Sequence, residues 1–127
     1  MITAVLDTTV IVHLLRKYSP AVTWLASQQE TFAITPITWM EVMVGVANKR
    51  AKTDYLSVLK SFDMLHLIAE DQDWAMTQMD KHRLSQGVGI MDCFNASLPN
   101  RLNIPIYTHN QKDFLKILPT HLVVKPY

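Results

Sequence analysis

Short apolar, β-prone runs alternate with amphipathic stretches from one end of the chain to the other. Ile2 to Leu6 is a compact apolar run that predicts a buried first strand. Asp7-Thr8-Thr9 then offers cap chemistry ahead of Val10-Ile11-Val12-His13-Leu14-Leu15, a helix ending near Arg16-Lys17. A short helix follows Pro20, with Val22 and Leu25 on one side. Thr31 to Thr35 reads as the second strand, and Thr35-Pro36 starts a helix to about Ala47, with proline at its favoured first position. Thr53 to Phe62 predicts a helix whose apolar face holds Tyr55, Leu56, Leu59 and Phe62. Leu65 to Ile68 predicts a short strand, and Glu70 to Leu84 a helix with acids at its start and bases near its end. Gly87-Val88-Gly89 breaks the chain before a helix from about Met91 to Asn100. Ile104 to Thr108 is a strand, Asn110 to Ile117 a short helix, and Leu122 to Val124 a last strand. No repeat or linker interrupts this series. Strand–helix alternation of this kind predicts an α/β fold with a parallel sheet, in one domain over residues 1–127.

Composition narrows the picture. A hydrophobic fraction of 49% with 18% charged residues is that of a globular protein and excludes a disordered chain. Net charge is +1, from 12 Lys and Arg against 11 Asp and Glu, so no basic excess advertises nucleic-acid binding. Any contact with phosphates must come from local grouping of charge or from bound cations. Cys93 is the only cysteine, which excludes an internal disulfide and suits a packing role. The opening residues lack the pattern of a signal peptide, and no apolar run approaches the roughly 20 residues of a membrane span. A soluble cytoplasmic protein is expected.

The acids carry the chemical information. Seven of the eleven (Glu30, Asp54, Asp63, Glu70, Asp71, Asp73, Asp80) fall among polar neighbours, and solvation suffices to explain them. Asp7 instead ends a buried strand. Glu41 is the only charge in Ile37-Thr38-Trp39-Met40-Glu41-Val42-Met43-Val44, and Asp92 the only charge in Ile90-Met91-Asp92-Cys93-Phe94. A carboxylate taken from water without a partner costs several kcal/mol or takes up a proton. Neither Glu41 nor Asp92 has a basic residue within one helical turn in sequence, so compensation must come from a distance.

Each acid also has a plainer explanation. Asp7 can cap the first helix, and Asp92 can serve the dipole of its own. Thr38 to Glu41 has capping-box spacing, but the better start at Thr35-Pro36 puts Glu41 in the second turn, too late for a box. Asp113 follows Asn110 at cap-like spacing. Jointly the placements say more: strand ends of an open parallel sheet meet in one crevice, where such folds bind ligands. Carboxylate oxygens are the hard donors that Mg²⁺ and Mn²⁺ prefer. A shared divalent cation would compensate several acids at once and neutralise phosphates locally.

Four segments resemble the motifs of PIN domains, in order and across nearly the whole chain. They are Leu6-Asp7-Thr8-Thr9-Val10-Ile11-Val12, Thr35 to Val42 around Glu41, Gly89-Ile90-Met91-Asp92-Cys93-Phe94-Asn95-Ala96, and Ile106 to Phe114. Order, spacing and small size are most similar to the VapC-type toxins of toxin–antitoxin pairs. The resemblance implies a three-layer α/β/α fold and Mg²⁺- or Mn²⁺-dependent endoribonuclease activity. It also implies a homodimer and a small antitoxin that blocks the site. By position, Asp7, Glu41 and Asp92 would bind metal. Asn110 falls where many members carry a fourth acid, and Asp113, one turn on, is either a supporting acid or helix surface. Thr9 stands where the family often has Asn or Ser, and either orients Asp7 or caps the helix. Asn95 replaces a usually apolar position, and either hydrogen-bonds Asp92 one turn away or weakens the core.

Other groups have less to distinguish them. His13 and His109 fall near the crevice in sequence, although a lone histidine is more often packed or on the surface. Lys49, Arg50 and Lys52 form the densest basic group, with Arg16 and Lys17 next. Trp24, Trp39 and Trp74 and the Met residues read as core or as apolar contact surface. Thr9 occupies the place where a haloacid-dehalogenase-type phosphatase needs its second acid, adjacent acids for a receiver domain are absent, and three glycines supply no phosphate loop. The remaining alternative to the enzyme is a PIN-fold RNA- or protein-binding module without activity, which chelator-sensitive cleavage would separate from it.

Overall fold

A computed structural model describes residues 1–127. Its elements run β1 (Ile2–Leu6), α1 (Thr8–Leu15), α2 (Ser19–Ala26), β2 (Thr31–Ile34), α3 (Pro36–Val44) and α4 (Lys49–Leu59). They continue as β3 (Asp63–Met64), α5 (Ala69–Gln86), α6 (Ile90–Leu102), β4 (Ile106–Tyr107), α7 (Gln111–Phe114) and β5 (Val123–Val124). The strands form one parallel sheet in the order β3-β2-β1-β4-β5. Alternation along β1 decides which helices cover which face. Ala4 and Leu6, with Phe32 and Ile34 of β2, pack against Val10, Ile11, Leu14, Ala21, Val42 and Leu59 of α1 to α4. Val5, Ile106 and Val123 face the other way, against Ala96 of α6, Phe114, Leu118 and Leu122, with Trp74 of α5 beside them. The result is a three-layer α/β/α fold, as the family resemblance implies. Trp24 and Trp39 pack on the first cluster, and Cys93 fills a third cluster with Ala75 and Val88, so these residues serve as core.

Several boundaries differ from the sequence expectation, each for a local reason. The third strand is Asp63–Met64 rather than Leu65 to Ile68. It sits at the sheet edge, paired only with β2, and the Leu65 N–H adds one more bond to the Ile34 carbonyl at 2.9 Å. Helix α4 begins at Lys49, before the expected Thr53, because the Asn48 side chain accepts from the Ala51 N–H at 2.8 Å and caps it there. Helix α3 stops at Val44 rather than Ala47, with Gly45 at its cap. Helix α6 tolerates Pro99 in its interior and ends at Leu102, capped by Asn103, which adopts the left-handed conformation (φ 52°) and donates its N–H to the Pro99 carbonyl.

One acid expected to be solvated is not. Asp71 is 1% exposed and forms a two-pronged pair with Arg101, at 2.8 Å from Nε and 3.1 Å from the terminal guanidinium nitrogen. It also accepts the Ile68 N–H at 2.9 Å. The partner lies 30 residues away on α6, outside any local window. This pair ties the start of α5 to the end of α6.

From β1 the chain winds outward through β2 to β3, then crosses back to β4 and β5 on the other side. The carboxyl ends of β1 and β4 therefore flank the point where the winding reverses, which is where an open α/β sheet leaves a crevice. No helix is long and apolar enough to cross a membrane.

Candidate functional site

Asp7 follows Leu6 at the carboxyl end of β1 and is 4% exposed. Its backbone N–H donates to the Tyr107 carbonyl at 3.0 Å, fixing it at the β1–β4 seam, and its own carbonyl accepts the first bonds of α1. The side chain makes no cap hydrogen bond. Instead Oδ2 accepts the Thr9 hydroxyl at 3.0 Å and the Thr108 hydroxyl at 2.8 Å. Both hydroxyls land on one oxygen, and the backbone N–H groups of Thr8 and Thr9 add a weaker pull on the carboxylate. Burial raises the pKa of this carboxyl against the opposing pull of the two hydroxyls.

Glu41 is carried by α3, whose start is fixed by the Thr35 side chain accepting from the Thr38 N–H at 3.1 Å. The Thr8 hydroxyl donates to Glu41 Oε1 at 2.9 Å. Burial raises the Glu41 pKa, Thr8 offsets part of this, and the charge of Asp7 adds to it. Asp92 sits in the first turn of α6, whose cap is Gly89. Burial, reinforced by the negative charges of Asp7, Asp113 and Glu41, pushes its pKa up to about 6. Asp7, Glu41 and Asp92 line a single cleft of about 390 Å³, together with Thr8, Thr9, Val12, His13, Arg16 and Asn110. The acids share this cleft without any three closing on one point. None is ion-paired: the two salt bridges of the chain involve Asp71 and Asp113.

The supporting positions divide. Thr9 orients Asp7 directly, and its oxygen also accepts the His109 N–H at 3.2 Å. Asn110 lines the cleft, and its backbone N–H donates to the Thr108 hydroxyl at 2.8 Å. Asp113 stands outside the lining and pairs with Lys116 at 2.9 Å, an ammonium that holds its pKa below the usual range. Asn95 makes no bond to Asp92. Its Oδ1 accepts from the Thr35 hydroxyl, and its Nδ2 donates to Thr38 Oγ1 at 3.4 Å. Thr38 and Thr8 are 3.0 Å apart, and Thr8 spends its one proton on Glu41, so Thr38 donates to Thr8. The donors thus run from Asn95 through Thr38 to Thr8, and Glu41 accepts at the end. Asn95 reaches across to α3 because its position on α6 points into the interior, where it is 1% exposed.

Sequence reasoning missed Thr8, Thr38 and Thr108. The only signal for them is threonine at helix starts and strand ends, a placement that usually means no more than a cap. Of the basic residues, Lys49, Arg50 and Lys52 begin α4 away from the cleft, whereas Arg16 lines it. His13 lines the cleft and His109 does not.

A family model of the PIN domain matches residues 4–117. This chain belongs to the PIN domain family. Solved structures share the PIN fold over nearly the whole length. A chain of a toxin–antitoxin complex from Klebsiella pneumoniae is similar at 23% identity and TM-score 0.80, covering 98% of each chain. A chain of VapBC2 from Rickettsia felis, bound to a promoter DNA fragment, is similar at 21% identity and TM-score 0.80, covering 100% of this chain and 99% of that one. A chain of VapBC-1 from nontypeable Haemophilus influenzae is similar at 22% identity and TM-score 0.78, covering 98% and 97%. No curated protein sequence matches this chain.

The donor set of this PIN domain suits a small divalent cation. All three acids offer hard oxygens, no lysine or arginine pairs with them, and each has its pKa raised by burial and by a neighbouring acid or by burial alone. The cleft has room for an ion that keeps several of its waters, as Mg²⁺ does.

Proposed function

We propose that this protein is a VapC-type toxin, a Mg²⁺- or Mn²⁺-dependent endoribonuclease, with Asp7, Asp92 and Glu41 as the metal-holding residues. The observation that carries the reading is the gathering of three carboxylates without cationic partners in one cleft at the winding reversal. A divalent ion bound there supplies a water of lowered pKa and neutralises charge at the leaving oxygen of a phosphodiester. Thr9 and Thr108 hold Asp7 through Oδ2. Glu41, which lines the cleft, is clamped through Oε1 by Thr8. Glu41 or Asp92 is the carboxylate that takes the proton of the attacking water, and burial with neighbouring negative charge favours the protonated form of both.

Likeness to chains from toxin–antitoxin complexes supports an antitoxin as partner. A cellular RNA substrate, a homodimer and a cytoplasmic setting belong to the same proposal and rest on the sequence resemblance to VapC-type toxins. The test is incubation of the purified protein with total RNA, with Mg²⁺, with Mn²⁺ and with chelator, followed by mapping of cut ends. Cleavage that needs metal and vanishes in both Asp7→Asn and Asp92→Asn is the expected result. RNA left intact under every metal condition would make the chain a binding module instead.

A further inference from the structure

The cleft poses an electrostatic problem that its acids do not solve. A polyanionic strand brought to three carboxylates needs donors to hold its flanking phosphates, and Arg16 carries the only fixed positive charge among the nine lining residues. Arg16, the residue that caps the C-terminal end of α1, lines the cleft together with Thr8, Thr9, Val12 and His13 of that helix. From Thr9 to His13 is four residues, about 6 Å along the helix axis, and Arg16 lies about 4.5 Å further on. That helix thus leads from the acids, past one histidine, to one arginine.

His13 is held in a defined orientation. Its Nδ1 lies 2.7 Å from the Tyr127 hydroxyl. Its ring packs edge-on against His109 at 5.0 Å between centroids and lies tilted against Tyr18 at 4.9 Å, while His109 packs on Tyr127 at 4.4 Å. A phenol is a stronger donor than a neutral imidazole N–H, and an imidazole nitrogen a stronger acceptor than a phenol oxygen. The bond therefore runs from the Tyr127 O–H to Nδ1, which puts the ring proton on Nε2. If the ring is charged, Nε2 carries a proton as well. In both forms the nitrogen with no protein partner is a donor.

We propose that His13, its donor nitrogen set by Tyr127, forms with Arg16 a phosphate-binding edge that holds single-stranded RNA along α1 beside the carboxylates. This rests on the ribonuclease reading for its substrate class, and adds to it the residues that hold the strand next to the cut. A hydrogen bond from His13 and an ion pair from Arg16 are separable: the first depends on Tyr127, the second on salt.

The test uses the full chain and a fluorescently labelled, mixed-sequence single-stranded RNA, with binding read by anisotropy in chelator and in Ca²⁺. Long-range ¹H–¹⁵N spectra of the imidazoles read the tautomer independently of any RNA. In the unaltered protein the His13 signals show the Nε2–H form, and Tyr127→Phe shifts them toward a mixture. His13→Ala weakens RNA binding about tenfold, and Tyr127→Phe about threefold, as loss of a charge-assisted and of a neutral hydrogen bond would. Arg16→Ala weakens it and lowers the slope of log affinity on log salt by about one. His13→Gln, whose amide supplies a donor without help from the phenol, keeps most of the affinity, and adding Tyr127→Phe to it costs nothing more. An Nδ1–H tautomer, or an equal cost of Tyr127→Phe in the His13 and Gln backgrounds, overturns the proposal. If RNA is cut but none of these variants changes its binding, this edge is refuted and the nuclease reading stands. If RNA is bound as described but never cut, the edge stands and the nuclease reading falls.

Discussion

The Thr108 hydroxyl donates to Asp7 Oδ2 across 2.8 Å, joining residues 101 positions apart at the ends of neighbouring strands. Thr9 donates to the same oxygen, so a pair of neutral groups, rather than a cation, orients the most buried acid of the cleft. Neutral donors fix a carboxylate without cancelling its charge, which keeps that charge for a ligand.

Asp7→Asn tests this arrangement. Asparagine retains an oxygen for both hydroxyls and removes a buried charge whose pKa is raised. Thermal unfolding without metal is expected at an unchanged or higher temperature, with RNA cleavage abolished. A fall of many degrees would mean that the charge itself holds the fold. Thr108→Val should instead cost about 1–3 kcal/mol, because it strips a donor from Asp7 and an acceptor from the Asn110 N–H.

Asp92 makes the cleft sensitive to pH. Its pKa is raised on folding to about 6, and those of Asp7 and Glu41 move the same way. A carboxyl with a raised folded pKa stabilises fully below its unfolded value, and that contribution is lost as pH rises through the folded value. Without metal, these groups should make the protein less stable as pH climbs from about 4 to 6. Mg²⁺ or Mn²⁺ should reverse the loss, so stabilisation by metal in a thermal melt should be larger at pH 7.5 than at pH 5. Equal stabilisation at both values would remove the acids from the metal site.

Arg101 compensates a buried carboxylate far from the cleft. Arg101→Ala leaves Asp71, at 1% exposure, with only the Ile68 N–H as partner. The expected cost is about 1–3 kcal/mol in chemical denaturation, as for a buried acid that loses a charged hydrogen-bond partner reaching in from the surface. Replacing both residues, Asp71→Asn with Arg101→Leu, should cost less than Arg101→Ala alone, since no unpaired charge is then buried.

Asn95 links α6 to the Glu41 clamp through Thr38 and Thr8. Asn95→Leu leaves the Thr35 hydroxyl without its acceptor and Thr38 without one donor, and should cost about 1–3 kcal/mol. Cleavage, measured at saturating metal, should fall less than tenfold, because Thr8 still holds Glu41. A loss as complete as that of Asp92→Asn would assign Asn95 a direct part in the chemistry.

Periodicity along the chain determined the α/β class, the first strand and the helix start at Thr35-Pro36, because each depends on neighbours a few residues apart. Isolated charges in apolar runs singled out Asp7, Glu41 and Asp92 by the same local logic: a lone acid among apolar neighbours is conspicuous wherever its partner lies. Tertiary structure decided what no window of sequence contains. It drew Asp71 into the interior beside Arg101, 30 residues away, and turned Asn95 toward Thr35 and Thr38 rather than Asp92. It also placed Arg16, and not the denser Lys49–Lys52 group, at the cleft. Hydroxyls and amides act within about 3 Å and in one direction. Their partners are therefore set by which strand ends and helix faces meet, and only the folded chain fixes that.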